Sequence, residues 1–322
     1  LRGAELTDPT SARRPAFKGL EAERLRQLPS LRKRACRLQA QMLAASPDPA
    51  APLQEFIEGL PRLGASARML QAAQALTESA LAGRGILWLI DESTLDAGLA
   101  PAIVPIVQRG LARTVAMTGA AATRDYEMAT LGRAGEDVAK GVRDGLLGLN
   151  RETGETMNAI INEGVRRGFG LGDCMARGVW DRKPSFCRHS ILAACARRGV
   201  PVAVLVDIGA DGFHRHPNAD GAVLGKGSLK DMHLLAGRMK ELHDGGSVVA
   251  LHSGAALEAS FVHALAHGRG EGEPIEGFTI ARFGAARASE IDLPGVKEVF
   301  DLTGPIEVML PLFVATAFSM VE

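Results

Sequence analysis

The chain has 322 residues, 46% hydrophobic and 23% charged, which is enough apolar side chain to bury a sizeable core and too much for a disordered chain. Lys+Arg and Asp+Glu balance at 37 each, so the sequence lacks the basic footprint of a nucleic-acid-binding protein. Aromatic residues are 4%, which leaves base-stacking and lipid-belt roles without material and rests the core on Ala, Val, Leu and Ile.

Residues 1–60 read as an N-terminal arm with one amphipathic helix around Leu20 to Met42, followed by a linker punctuated by Pro47, Pro49 and Pro52. From Gly85 the pattern changes, and residues 61–322 read as one domain. Short apolar runs predict strands at Ile86–Ile90, Thr114–Met117, Pro201–Asp207, Ser247–Leu251, Phe278–Ala281 and Glu298–Leu302. These runs lack period-2 alternation, the mark of strands buried on both faces. Between them, Ala100–Gly110, Ser190–Arg198, Leu229–His243, Leu257–His267 and Ile306–Met320 suit crossover helices. The predicted fold class is α/β: a doubly wound, mostly parallel, Rossmann-like sheet with helices on both faces. Residues 125–185, most regular over Glu152–Arg167, read as an insertion between strands.

Four cysteines (Cys36, Cys174, Cys187, Cys195) show no paired spacing, and there is neither a signal-peptide pattern nor an apolar run of about 18 residues. The expected setting is cytoplasmic, with no membrane and no nucleic acid as partner.

Ligands of such sheets bind beyond the carboxyl ends of the strands. Those ends read Asp91-Glu92-Ser93, Thr118-Gly119-Ala120, Gly209-Ala210-Asp211-Gly212, His252-Ser253-Gly254, Arg282-Phe283-Gly284 and Thr303-Gly304-Pro305. Glycine and hydroxyl side chains there suit a phosphate-bearing cofactor, and they serve tight strand-to-helix connections equally well. No GxGxxG follows the first strand, so spacing alone gives a nucleotide-sized cleft and no named cofactor.

The densest polar cluster runs from Asp211 to Gly221. One reading makes His214 or His216 a general acid/base with Asp211 beside it. Another assembles a metal site from the two histidines with Asp211, Asp220 and His252, and a third is an ordered loop of Asx turns. Residues at i and i+2 of an extended segment point to opposite sides, so one histidine is expected to face the cleft. Glu258, at the start of the helix after His252-Ser253-Gly254, and Glu307, opening the last helix, join Asp220 and His252 as candidate substrate contacts.

Three stretches carry a resemblance to the deoxyhypusine synthase family: Ile90 to Asp125 with Met117-Thr118-Gly119-Ala120, Ser190 to Asp211 with Gly199-Val200-Pro201-Val202, and Lys297 to Phe318 with Met309-Leu310-Pro311-Leu312. Ile208 through Gly225 matches a motif of the form IGxDxxHxHPxxDGAxxG and is similar to a bacterial deoxyhypusine synthase-like branch. The resemblance implies a Rossmann-like domain, a homotetramer built as a dimer of dimers, and NAD bound at the strand ends. Carried over position by position, it implies cofactor contacts at Glu92, Ser93, Asp96, Thr118, Gly119, Ala120, Asp211, Ser253, Gly254, Thr279 and Ala281.

The family's imine-forming Ser-Trp-Gly-Lys motif is absent, and residues 284–296 hold no lysine. Lys226, close in sequence to the histidine loop, is the candidate substitute. Arg124 stands where the family carries acids that hold a polyamine, and it suits a carboxylate or phosphate on the substrate. The resemblance thus implies an NAD-dependent transferase or oxidoreductase acting on a small amine, polyamine or amino-acid-like substrate, by a route other than ordinary deoxyhypusine synthesis. A non-catalytic NAD- or ligand-binding relative, and a metal-assisted hydrolase or lyase using the His-x-His loop, stay open beside it.

Overall fold

The six apolar runs form one sheet: β1 Ile86–Ile90, β2 Thr114–Thr118, β3 Val202–Leu205, β4 Ser247–Leu251, β5 Phe278–Phe283 and β6 Val296–Leu302. Their order is β3-β2-β1-β4-β5-β6, and every neighbouring pair is parallel. This is the doubly wound α/β architecture expected from the sequence. The computed structural model describes Ser30 and residues 35–251, 255–284 and 293–321.

The chain divides into two units, Leu1–Leu43 and Ala44–Glu322. Of the helix expected over Leu20 to Met42, residues 35–39 are not helical and Ala40–Met42 is a 3-10 turn. Apart from Ser30, the rest of that stretch lies outside the described residues. Residues 44–60, assigned above to the arm, fall in the larger unit.

The helices of the larger unit are α1 Leu53–Glu58, α2 Gly64–Leu81, α3 Glu92–Asp96, α4 Ala100–Gln108, α5 Gly119–Leu131, α6 Val138–Asp144, α7 Asn158–Arg166, α8 Leu171–Arg182, α9 Ile191–Arg198, α10 Gly221–Arg238, α11 Ala255–Gly270 and α12 Ile306–Ser319. No helix among the described residues is long and apolar enough to cross a membrane.

Strand β1 shows why the sheet is covered on both faces. Ile86, Trp88 and Ile90 enter one core cluster, while Leu87 and Leu89 enter the other. Alternate side chains of a strand point to opposite faces, so an all-apolar strand demands a layer on each side. Trp88 stays buried because its Nε1–H donates to the Leu111 carbonyl at 2.9 Å.

Element ends shift where local bonds compete with the ladder. β3 stops at Leu205 instead of Asp207, since the Val206 N–H donates to Ser228 Oγ (3.4 Å) and the Asp207 N–H to the Asp211 carboxylate (2.9 Å). α10 opens at Gly221, earlier than expected, because the Asp220 carboxylate accepts from the N–H groups of Ala222 (3.0 Å) and Val223 (3.2 Å).

The β3 edge is closed by a buried carboxylate. Asp231 Oδ2 accepts from the Val204 N–H at 2.8 Å and from the Gly172 N–H at 2.7 Å, tying the edge strand to α8. Helix and strand approach closely here: a Cβ on Gly172 would lie 2.1 Å from the Val202 carbonyl oxygen. Burial pushes Asp231 up to about 7, so the folded protein binds its proton more tightly than the unfolded chain does. Stability from this group is therefore greatest below the ordinary carboxylate value and falls as pH rises from about 4 to 7.

Asp231→Ala is expected to lower stability by about 2–4 kcal/mol in urea unfolding, because two buried N–H groups lose their acceptor. Asp231→Asn keeps an acceptor and is expected to flatten the decline in Tm between pH 5 and 7; an unchanged pH slope would contradict the assignment.

Candidate functional site

In the observed strand order the chain leaves β1 toward β2 and β3, then crosses back to β4 on the other side of β1, so the switch point lies between β1 and β4. A cavity of about 440 Å³ opens at this end of the sheet, within the range of small-molecule sites. Its walls are Asp91 and Glu92 after β1, Thr118 and Ala120 after β2, Leu205 to Asp207 with Ala210 and Asp211 after β3, and Ala255, Ala256, Leu257 and Ser260 of α11. Among the described residues four carboxylates and no Lys or Arg line it.

Each acid is fixed by its own turn. Asp91 caps α3, accepting from the Thr94 N–H (3.2 Å) and the Ser93 hydroxyl (2.7 Å). Glu92 accepts from the Thr118 hydroxyl at 3.0 Å, and that hydroxyl oxygen accepts from the Ala121 N–H to cap α5. Asp211, 6% exposed, accepts from the N–H groups of Asp207 and Ala120 and so lies across the start of α5. Burial is the main reason its carboxyl is raised to about 6, and the neighbouring Asp207 and Glu92 charges push the same way. Gly119 is required at this contact, since a Cβ there would lie 2.1 Å from Asp211 Oδ2.

The two histidines enter different surroundings. His216 is buried, with Nε2 3.1 Å from the Gly148 carbonyl oxygen, and its ring fills the space a Cβ on Gly154 would occupy. Asn158 and Asn162 bind Phe213 and Asn218, so the loop is pinned to the insertion and to the π-helical turn Thr153–Met157. His214 packs edge-on against Phe213, its ring centroid 4.2 Å away, and both of its ring nitrogens are shut off from solvent without a hydrogen-bond partner. Burial lowers its pKa, opposed by the Asp207 charge. Among the described residues no group of three or more His, Cys, Asp or Glu is arranged to hold a metal ion.

Of the other expected site residues, the structure brings Glu92, Thr118, Ala120 and Asp211 to the cavity, with Gly119 directly behind Asp211. It does not bring Ser93, which is bonded to Asp91, or Asp96. Arg124 is turned to Asp96 (3.0 Å) and Glu127 (3.8 Å), which neutralise it away from the cavity. The acid beside it, Asp125, is buried at the start of α9, where it accepts from the Ser190 hydroxyl and from the N–H groups of Ile191 and Leu192.

Asp220 serves as the α10 cap, Lys226 is exposed on α10, and Glu307 is exposed in the first turn of α12. Glu258 is half-buried in the first turn of α11, one residue beyond the cavity-lining Leu257. Thr279 sits at the opposite end of the sheet, its hydroxyl 3.0 Å from Ser247 Oγ at the amino end of β4, and Ala281 is buried inside β5. His252, Ser253 and Gly254 lie outside the described residues. Sequence reasoning missed Asp207 and Ser260, and it named Asp91 only as part of a strand end. The signal for Asp207 was present: an acidic residue just past an apolar run.

No protein-family profile matches the chain, and no curated protein matches it. Solved structures do. A conserved protein of Methanococcus maripaludis S2 assigned to the LOR/SDH group superposes with a TM-score of 0.54 at 15% identity, over 80% of this chain and 71% of that one. AgrE, in a ternary complex with ornithine and NAD+, gives 0.52 at 14% identity, over 83% of this chain and 34% of AgrE. A protein of Entamoeba histolytica assigned as a deoxyhypusine synthase gives 0.51 at 11% identity, over 87% and 97% of the two chains. The chain spans about a third of the length of AgrE and of the cyanobacterial arginine dihydrolase ArgZ. These likenesses establish the class, a Rossmann-like α/β fold.

A double-mutant cycle tests the Gly119–Asp211 contact. Gly119→Ala is expected to cost about 1–3 kcal/mol in the wild-type background and under about 0.5 kcal/mol once Asp211→Ala has removed the clashing carboxylate. Equal costs in both backgrounds would show that the two residues do not touch.

Proposed function

We propose that this protein is an NAD-dependent enzyme of the deoxyhypusine synthase-like kind whose substrate is a small cationic amine, polyamine or basic amino acid. The observation that carries the reading is the cavity at the switch point, lined by Asp91, Glu92, Asp207 and Asp211, with no Lys or Arg on its walls among the described residues. Four carboxylates in one cleft repel one another, and a bound ammonium relieves that repulsion while gaining charge-assisted hydrogen bonds. AgrE, about a third of which this chain matches, forms a ternary complex with ornithine and NAD+, which supports pairing an amine with a nicotinamide cofactor here.

The residues present suit that cofactor. α11 opens with Ala255, Ala256 and Leu257 at the wall, and the N–H groups of a helix start donate to phosphate oxygens; Glu258 in the same turn is charged and is not among the cavity's walls. Glu92 offers an acceptor for ribose hydroxyls. When bound, NAD supplies a hydride acceptor for the carbon that carries the amine. Asp207 and Asp91 hold the substrate nitrogen. Asp211, raised to about 6, is ionised at neutral pH and accepts a proton at its carboxylate. Asp220, Lys226 and Glu307 take no part in binding at this cavity. A homotetramer and a cytoplasmic setting complete the proposal.

The test incubates the protein with NAD and a panel of diamines, polyamines and basic amino acids, and reads the absorbance of reduced nicotinamide. One amine is expected to give turnover, and Asp207→Asn is expected to lower kcat/KM by roughly 10- to 100-fold with Tm unchanged. Ala255→Asp places a carboxylate on an exposed position at the helix start and is expected to weaken NAD binding with the fold intact. Absence of both NAD binding and turnover would overturn the proposal.

A further inference from the structure

The opposite end of the sheet carries a second cavity, about 700 Å³, formed where the chain enters β1, β2 and β3 and where α10 ends. Five cations reach its walls, Arg84, Arg113, Arg198, Arg238 and Lys240, against one acid, Glu241. Glu241 is engaged by Arg238 at 2.6 Å, and Arg84 is paired with Asp244 at 2.8 Å. Arg113, Arg198 and Lys240 have no carboxylate partner among the described residues. Arg113 Nε, moreover, is shut off from solvent with no acceptor.

Cations are ordinary at helix C-termini, where they offset the terminal carbonyls. Here backbone bonds already serve those carbonyls. The N–H groups of Gly110 and Leu111 close α4 onto Val107 and Ile106, those of Gly199 and Val200 close α9 onto Ala196 and Cys195, and those of Gly83 and Arg84 close α2 onto Ala80 and Ser79. To these carbonyls the guanidinium groups add only long contacts of 3.4 Å, from Arg113 to Ala80 and from Arg238 to Arg113, and Arg238 Nε donates to the Thr114 hydroxyl at 3.2 Å. Arg238 and Arg84 are thus engaged, and the charges of Arg113, Arg198 and Lys240 are the ones left for something else.

We propose that this cavity is a binding site for a small polyanion bearing two or more linked phosphates. Cations arriving from separate segments match charge spread along a chain of phosphates, which a single carboxylate cannot offer, and arginine suits phosphate oxygens through paired N–H donors. The site lies a strand length from the acidic cleft, roughly 15 Å at about 3.3 Å per residue, so it does not serve the reacting end of the substrate there. It stands whether or not the proposed enzyme activity does.

Tripolyphosphate is the probe. Calorimetry on the whole protein at constant ionic strength is expected to show saturable binding, with sulfate giving none. Arg198 and Lys240 are both exposed, and Arg198→Ala/Lys240→Ala is expected to weaken binding at least tenfold with Tm unchanged. A single Arg198→Glu reversal is expected to do the same. Absence of binding to the wild type, or equal binding by these variants, would overturn the assignment.

Discussion

Everything at the candidate site follows from the parallel alignment of the strands. Because all six run the same way, the residues just past β1, β2 and β3 arrive on one edge although they lie over a hundred positions apart at the extremes. Helix starts gather on that edge and helix ends on the other. The protein uses this polarity twice: acids collect beyond the carboxyl ends, arginines and a lysine around the amino ends. The balanced net charge of the sequence conceals this separation.

Gathering carboxylates is unfavourable unless something holds each in place. Asp211 shows how it is done: the backbone N–H groups of Asp207 and of Ala120, at the start of α5, donate to its carboxylate, and the missing Cβ of Gly119 makes the room. Its raised pKa comes mainly from burial, with the Asp207 and Glu92 charges adding to it, and the proposed cationic ligand would offset that repulsion. The neighbouring histidine loop is held differently, pinned by Asn158, Asn162 and the Gly148 carbonyl to the insertion. The loop that looked like the densest chemistry in the sequence thus spends much of its polar capacity on its own shape.

The fold was legible because buried parallel strands leave uninterrupted apolar runs, and β1 and β4 begin and end where those runs do. Boundaries slipped where side chains outcompeted the ladder, as at Val206 and Asp207. The site was legible only in part. Strand-end position identified Glu92, Thr118 and Asp211, which the sheet brings together. Sequence proximity placed Asp220 and Lys226 beside the histidine loop, and the structure makes one a helix cap and leaves the other exposed beyond it. Thr279, named through the family resemblance, stands at the amino end of β5, a place that depends on a register with Ser247 that no local pattern reveals. Arg124 read as a substrate contact because Asp96 becomes its neighbour only when α3 and α5 pack, while Glu127, one turn along α5, was within reach of the sequence pattern.

The central claim is that the acidic cleft selects a positively charged amine. Its most direct test titrates a short diamine and the diol of the same length into the NAD-saturated protein and compares their affinities. The account predicts that the diamine binds at least tenfold more tightly, that added salt narrows the gap, and that Asp207→Asn removes most of it. Equal affinities, or a preference for the diol, would contradict it.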